Sequence, residues 1–353
     1  MLKLRIVQGP LEDSLNEAIL SGYNSFNTSD VSLENYRRWT QESPEGPACH
    51  ALLQTDGGEM VGHCCLFPFR MKYGDAQLIA GKAEYYFIKK SYRTEKIHGF
   101  ERSQMPAAVI LLEQLYRHCR TLHWDPCIAS SPKEVQVLHR MAGCLPVTFR
   151  LFECLLILKP ARGAYTTPNL TAKQRVVLFL TGAVQRTAWS LALPFVPRTN
   201  GTCSVRISDK KKPAPEPSML RFAEDTDFLV WRYPESQYYR VGAHNASNDF
   251  VIAKRGSESC YLRVCQYRLD SETLPLSSVL INLIATARAQ HALGVRWAVY
   301  GEGEMPARLI RAMRKLGFLC VPRERTFLVY TSVRELLQPN RWNLTDCFVS
   351  FDN

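Results

Sequence analysis

Three kinds of side chain in the first half of the chain could take part in chemistry. One is a carboxylate, Glu84, within the run "LIAGKAEYYFIKK", and another is an imidazole, His139, within "LHRMAGCLPV". The third is a loop that carries Arg93, Lys96 and His98 and leads into an amphipathic run. A carboxylate can accept a proton and an imidazole can donate one, while a basic loop before a helix N-terminus can bind an anion. These residues therefore indicate proton transfer and anion binding.

Motifs of several other chemistries are missing from the sequence. It contains no GxSxG elbow, Walker loop or HExxH motif, and "GEGEM" at 301–305 fits a strand-to-helix loop better than a dinucleotide fingerprint. The 12 cysteines include the adjacent pair Cys64 and Cys65 but no CxxC pair, so zinc-ligand spacing is absent. We interpret the cysteines as reduced, small, buried hydrophobic residues and predict no metal site.

One segment type occurs twice in the chain. "LHRMAGCLPV" and "AMRKLGFLCV" align when Gly143 is placed on Gly317, an offset of 317 − 143 = 174 residues. Each copy has a basic amphipathic run, a glycine that can end a helix in the left-handed conformation, and an apolar run. Upstream, each half has a helical run and a short apolar strand. The sequence predicts a duplicated helix–strand–helix–strand unit, although any α/β protein can repeat this pattern.

Strand patterns precede the helical runs in both halves. "ACHALLQTDGGEMVGHCCLFPFRM" predicts two strands joined at a DGG turn, and "LIAGKAEYYFIKKSYR" predicts a long third strand. A helix is predicted over about 105–122. The second half repeats the hairpin as "DFVIAKRGSESCYLRVCQYRL", and the terminal "WNLTDCFVSFDN" has no counterpart in the first half.

Length and composition predict two domains. The 353 residues, 46% of them hydrophobic, suffice for two cores of roughly 150 residues each. The stretch "KKKPAPEPS" is the clearest linker because it combines prolines with charge. We predict an N-terminal domain at 1–160, a connecting helix and linker at 161–217, and a C-terminal domain at 218–353.

The net charge of +11 suits anionic partners such as coenzyme phosphates, nucleotide-linked substrates, nucleic acid or anionic lipid. The N-terminus has no apolar core of the signal-peptide type, so a cytoplasmic location is expected. The run at 175–196 approaches the length of a membrane span, but Gln185 and Arg186 lie at its centre and Pro194 near its end. A connecting helix is the preferred interpretation, and contact with a membrane surface is the alternative.

The order of these elements resembles the GNAT acyl-CoA N-acyltransferase superfamily. The resemblance covers residues 48–158 and 249–330, and it is carried by "MRKLGF", by "HRMAGC" at the equivalent place and by "MVG" after the DGG turn. It implies an α/β (α+β) fold with two tandem GNAT-like domains, each a mixed, mostly antiparallel sheet flanked by helices. "WRYPESQYYRV" and "WNLTD" are also similar to two-domain polysaccharide-biosynthesis acyltransferases.

The resemblance implies acetyl-CoA or another acyl-CoA as co-substrate and no metal. In the superfamily, a loop with the pattern Arg/Gln-x-x-Gly-x-Gly/Ala binds the coenzyme pyrophosphate through backbone N–H groups at a helix N-terminus. Aligning that pattern at Arg93 places lysine and histidine where glycines are expected, which departs from the family. The implied coenzyme-binding residues are Ile88, Arg93, Thr94, Lys96, His98 and Gly99. The matching segment of the second half, "SETLPLSSV", has no glycine and no basic residue.

The resemblance also implies catalytic roles. His139 occupies the place of a tyrosine that protonates the departing thiolate, whereas the second half has Met313 there, which cannot donate a proton. Glu84 is the candidate base if strand parity turns it inward, and Tyr85 or Tyr86 would line the substrate pocket. The alternatives are that His139 is an ordinary helix residue, that Glu84 merely pairs with a nearby cation, and that the tyrosines are ordinary strand residues.

We therefore expect an N-acyltransferase that moves an acyl group, acetyl by preference, from CoA to an amine of a small molecule or amino sugar. One alternative is a tRNA-dependent aminoacyl transferase of the peptidoglycan-bridge type, which would show salt-sensitive binding to tRNA. The other is a binding protein that kept the fold and lost the chemistry. No nucleic-acid partner is expected under the preferred interpretation.

Overall fold

A computed structural model describes residues 1–26, 31–160, 171–192, 220–222, 226–234, 238–242, 250–255, 261–269, 276–301, 303–342 and 344. The turn of the predicted second-half hairpin, most of the terminal segment "WNLTDCFVSFDN" and the linker "KKKPAPEPS" lie outside the described residues.

The described residues of the first half form six strands and four helices. They are β1 Leu2–Gln8, α1 Asp13–Asn24, α2 Leu33–Gln41, β2 Cys49–Thr55, β3 Met60–Tyr73, β4 Ala76–Ile88, α3 Ala107–Thr121, β5 Trp124–Ala129, α4 Lys133–Met141 and β6 Leu145–Ile157. From β2 onward, these elements follow the predicted order. The meander and the long strand are confirmed. The predicted helix at 105–122 begins two residues later than expected, because Pro106 occupies the N-cap position of α3.

The rest of the described chain contains the elements α5 Ala172–Ala192, β7 Leu220–Phe222, α6 Thr226–Arg232, β8 Tyr238–Gly242, β9 Phe250–Arg255, β10 Leu262–Arg268, α7 Leu276–Ala289, β11 Gly294–Tyr300, α8 Glu304–Lys315 and β12 Leu319–Tyr330. From β8 onward, these elements repeat the order from β2 to β6. The predicted fold class is confirmed, since a mixed sheet is flanked by helices.

The described strands form one continuous sheet in the order β1-β2-β3-β4-β5-β12-β6-β11-β10-β9-β8, and β7 pairs with β3. The last strand of each half is exchanged: β12 pairs with β5 of the first half, and β6 pairs with β11 of the second. The two exchanged strands also pair with each other, with Leu319 opposite Leu155 and Val329 opposite Leu145. The halves therefore share hydrogen bonds at the centre of one sheet and are not two separate sheets.

The duplicated junctions have the same backbone geometry. Gly143 and Gly317 have φ values of +96° and +83°, the left-handed region in which glycine is favoured. The N–H of Cys144 bonds the carbonyl of His139, and the N–H of Phe318 bonds that of Met313, both at 3.0 Å. His139 and Met313 are therefore equivalent positions, and both are buried.

Helix α5 is attached to the sheet through the glutamine at its centre. The Gln185 side chain accepts a hydrogen bond from the N–H of Ile157 at 2.8 Å and donates one to the carbonyl of Leu155 at 2.9 Å. This polar residue, unexpected in an apolar run, satisfies backbone groups at the end of β6. Within the described residues, no helix is both long enough and apolar enough to cross a membrane.

Residues just beyond the predicted boundary at 218 pack on the first half. Strand β7 pairs with β3, so that Phe222 lies opposite Met71. The Trp231 indole N–H donates to the carbonyl of Arg38 in α2 at 3.2 Å, and its ring contacts Trp39 edge to face. The two predicted domains are thus joined by side-chain contacts as well as by the shared sheet.

Candidate functional site

The candidate site begins where β4 and β5 cease to pair. These strands run parallel, and their pairing ends with Ala83 opposite Ala129. Strand β4 continues for five residues to Ile88, while β5 ends at Ala129. The two strands therefore leave an interruption in the sheet beside the last residues of β4, and this is where the predicted site residues lie.

A β-bulge interrupts β4 at the same point. Cys65 of β3 pairs with Glu84, and His63 pairs with Phe87, so that Tyr85 and Tyr86 together oppose Cys64. Tyr85 has a φ of +51°, an uncommon value for a residue other than glycine. Because the bulge adds one residue, it changes which side chains share a face of the sheet.

The contacts around the bulge show on which face of β4 each predicted site residue lies. The ring of Tyr85 contacts Tyr36 of α2 at 4.9 Å between centroids, whereas Tyr86 lies on the α3 side with its centroid 6.2 Å from that of His139. Glu84 opposes Cys65, which packs in the same core cluster as Tyr85. Glu84 and Tyr85 therefore face the α1–α2 side, and the two predicted substrate tyrosines lie on opposite faces.

Glu84 is paired with a buried cation. Its carboxylate accepts a hydrogen bond from Nζ of Lys82, two residues earlier on the same face of β4. The side chain of Lys82 is fully buried, while that of Glu84 is 25% exposed. The pairing alternative raised by the sequence is thus present, and it leaves part of the carboxylate accessible.

His139 is buried between α3 and β5, and both of its ring nitrogens have partners. Nδ1 lies 2.7 Å from the hydroxyl of Tyr116, and Nε2 lies 3.1 Å from Oγ of Ser131. Burial lowers the pKa of His139 to about 4, so the ring is neutral at pH 7. Burial also raises the pKa of Tyr116, which keeps its proton. The three side chains form one hydrogen-bonded chain that ends at Ser131, two residues after β5.

Five of the six predicted coenzyme-binding residues lie in the loop between β4 and α3, and the sixth, Ile88, is the last residue of β4. The carbonyl of Arg93 accepts the first N–H of α3, from Ala107, at 3.3 Å, and no side chain caps this helix end. Nζ of Lys96 donates to the carbonyl of Ser103 at 2.6 Å, which closes the loop on itself. Gly99 has a φ of +83°. Arg93, whose side chain is exposed, therefore lies beside a helix N-terminus that no side chain caps.

The other three residues of that set lie elsewhere around the loop. His98 pairs with Asp56 at 3.2 Å and with Glu101 at 3.8 Å, so carboxylates already surround its ring. Ile88 is buried in the core beneath α3, and Thr94 is exposed. The structure brings Arg93, Thr94, Lys96 and Gly99 into one loop and turns His98 toward the β2–β3 turn.

Solved structures with similar folds cover most of this chain. A protein from Enterococcus faecalis V583, described as a probable N-acyltransferase, matches with a TM-score of 0.52 and 9% identity over 92% of this chain and 72% of its own. A protein from Pyrococcus horikoshii assigned as an acetyltransferase matches with a TM-score of 0.50 and 13% identity, over 99% of this chain and 94% of its own. The chain has the GNAT fold. A tandem GNAT protein from the clavulanic acid biosynthesis pathway aligns at a TM-score of 0.49 with 11% identity, over 93% of this chain and 98% of its own. No protein-family model matches the sequence, and no curated protein does.

The residues at the start of α3 are 102–107, "RSQMPA", and they follow the part of the loop that carries Arg93 and Lys96. The signal for this helix start in the sequence is Pro106, a residue common at the start of helices.

Two residues of the site were missed from the sequence. Tyr116 lies on α3 and Ser131 before α4, so nothing in their local spacing links them to His139. In the second GNAT-like half, the equivalent position is Met313, which is buried in an apolar core cluster. The segment predicted to replace its phosphate loop, 271–279, is described only from residue 276 onward.

Proposed function

We propose that this protein is a CoA-dependent N-acyltransferase that transfers an acyl group, acetyl by preference, to the amine of a small molecule or amino sugar. The observation that carries the proposal is the interruption between β4 and β5 in a GNAT fold, with Arg93 and the N-terminus of α3, which no side chain caps, next to it. The proposal places the reaction in the cytoplasm and requires no metal for the chemical step.

The coenzyme phosphates would bind at the N-terminus of α3. Backbone N–H groups at a helix start attract anions, and the helix dipole adds to that attraction. Arg93 and Lys96 supply positive charge in place of the close backbone approach that glycines would allow. The pantetheine arm would then extend between β4 and β5, which places the thioester near the bulge at Tyr85 and Tyr86.

Glu84 is the proposed base for the acceptor amine. It faces the α1–α2 side, it is partly exposed, and the aromatic cluster of Tyr23, Tyr36 and Tyr85 adjoins it on that face. The carboxylate would remove a proton from the ammonium group before attack on the thioester. Tyr85 would line the acceptor side, and Tyr86 would line the side of the thioester.

We assign the stabilisation of the departing thiolate to Ser131 instead of His139. Because both nitrogens of the buried imidazole are bonded, His139 acts as a positioning residue. With a neutral ring, Tyr116 donates to Nδ1, Nε2–H donates to Ser131, and the Ser131 hydroxyl is left to donate to the sulfur. A chain of donors oriented in one direction stabilises developing negative charge without placing a net charge in the core.

Glu84→Gln is expected to lower turnover by about 100-fold, because an amide cannot accept the proton. It should also cost about 2 kcal/mol of stability, because the buried Lys82 loses its carboxylate partner. The double variant Lys82→Met/Glu84→Gln separates the two effects, since it should recover stability and not activity. Chemical denaturation and steady-state kinetics measure both. Recovery of turnover in the double variant would show that Glu84 has only a structural role.

Release of free CoA thiol from acetyl-CoA, followed with a panel of primary amines and amino sugars, tests the function itself. We expect amine-dependent release that is faster with at least one acceptor than with water. Binding of acetyl-CoA without release for any amine would favour the non-catalytic binding protein. Tight binding of tRNA that weakens steeply with salt, together with no affinity for CoA, would favour the aminoacyl transferase.

A further inference from the structure

Three side chains of metal-ligand type meet on the α1–α2 face of the sheet, next to Glu84 and Tyr85. In the pairing of β2 with β3, His50 lies opposite Cys65, and His63 precedes Cys65 by two residues on the same face. All three are fully buried under α1 and α2. Within the described residues, their ligand atoms lie within 4.8 Å of one another. The sequence predicted no metal site, because the ligands come from two strands and have no motif spacing.

The two imidazoles are hydrogen-bonded to each other, at a separation close to the one that a shared ion requires. Nδ1 of His50 lies 3.1 Å from Nε2 of His63. Two nitrogens bound tetrahedrally to zinc at about 2.05 Å lie roughly 3.3 Å apart. The other nitrogen of His63, Nδ1, lies 2.9 Å from the carbonyl oxygen of Tyr85. When Nδ1 donates to that carbonyl, Nε2 presents its lone pair to His50, which is the usual arrangement around a metal-binding histidine.

The core around these three side chains contains polar atoms that lack partners. Nε2 of His50 and the hydroxyl of Tyr36 are buried and have no hydrogen-bond partner. Buried polar atoms are normally paired, so two unpaired atoms in this core call for an explanation. Tyr36 and Cys65 belong to the same core cluster.

We propose that His50, His63 and Cys65 bind one first-row transition-metal ion, with Zn²⁺ as the best match. Two imidazoles and a thiolate favour zinc or copper over magnesium or calcium. On binding, the Cys65 thiol releases its proton to solvent and the thiolate sulfur bonds the ion; no atom is oxidised or reduced. Through His63 the ion would hold the carbonyl of Tyr85, and thus the bulge in β4. This role is structural and does not depend on the proposed acyl transfer.

Cobalt titration of the full chain tests the site, with protein purified without a metal-binding tag and treated with a chelator. We expect one Co²⁺ per chain and a thiolate-to-cobalt charge-transfer absorption that Zn²⁺ displaces. Cys65→Ala should abolish the absorption and weaken Zn²⁺ binding at least 100-fold. Cys64→Ala is the matched control, because this neighbouring cysteine is equally buried but belongs to the core cluster on the α3 side. It should retain both properties.

Stability supplies a second measurement that is independent of any enzyme assay. Zn²⁺ should raise the melting temperature of the wild type and of Cys64→Ala, and should leave that of Cys65→Ala and His50→Ala unchanged. If Cys65→Ala does not fold, Cys65→Ser, which keeps the side-chain volume, replaces it. Absence of cobalt absorption in the wild type, or the same behaviour in the Cys64 and Cys65 variants, would overturn the proposal.

Discussion

Ser131→Ala is expected to lower turnover about 100-fold while leaving the affinity for acyl-CoA nearly unchanged. The substitution removes the last donor of the chain that runs from Tyr116 through His139. That donor would act only on charge that develops on the sulfur, so its loss should lower kcat and kcat/KM by similar factors. Stopped and continuous thiol-release assays measure the turnover, and the Kd for acetyl-CoA measures the affinity separately.

Ser130→Ala is the matched control for this experiment. Ser130 precedes Ser131 and is similarly half-buried. It should retain wild-type turnover. His139→Ala should lower turnover as Ser131→Ala does, and the double variant should be no worse than the more affected single variant because both belong to one chain. Equal, small effects of Ser130→Ala and Ser131→Ala would show that the chain only stabilises the fold.

Acidification is expected to destabilise the protein steeply below pH 6.5. Burial lowers the pKa of His63 and that of His139 to about 4, and it lowers that of His50 as well. Between the unfolded value near 6.5 and the folded value, the unfolded chain binds more protons, so the stability present above pH 6.5 is lost as the pH falls toward 4. His63 and His139 should each cost about 2 kcal/mol by pH 5 and about 3 kcal/mol by pH 4.

Urea denaturation between pH 7.5 and 4.5, in the presence of a chelator so that no bound metal contributes, measures this loss. His139→Gln should be less stable than the wild type at pH 7 and should show a shallower decline, since one of the titrating groups is gone. A stability that stays level between pH 6.5 and 5 would mean that these rings are protonated in the folded protein, which would contradict the neutral hydrogen-bonded chain.

Local sequence patterns predicted the elements well because each depends on neighbouring residues. Gly143 and Gly317 end their helices through a left-handed backbone that glycine adopts freely, so the duplicated junction could be identified from spacing alone. The exchange of β6 and β12 could not be predicted from the sequence, because strand partners hundreds of residues apart are selected by the packing of the complete sheet. The alternation of apolar residues predicts which side chains share a face of a strand, but it does not predict which strands are its neighbours.

The site was harder to predict than the fold for a physical reason. The bulge at Tyr85 adds one residue to β4 and thereby puts Glu84 and Tyr85 on the same face of the sheet, and alternation in the sequence carries no sign of it. His139 was identified by its distance from Gly143, but its burial and its two partners depend on α3 and β5. The alignment of the phosphate-binding pattern at Arg93 stays a prediction, because the sequence does not fix how the loop folds against the start of α3.

Isothermal titration calorimetry with acetyl-CoA is the most direct measurement of the central claim, that the first half alone holds an acyl-CoA site. We expect one molecule bound per chain and an affinity about 10-fold lower or more for Arg93→Ala, since a charge-assisted contact with phosphate would be lost. Arg117→Ala, an exposed arginine further along α3 paired with Glu113, should bind like the wild type. Two molecules per chain, unchanged binding by Arg93→Ala, or no binding at millimolar acetyl-CoA would contradict the claim.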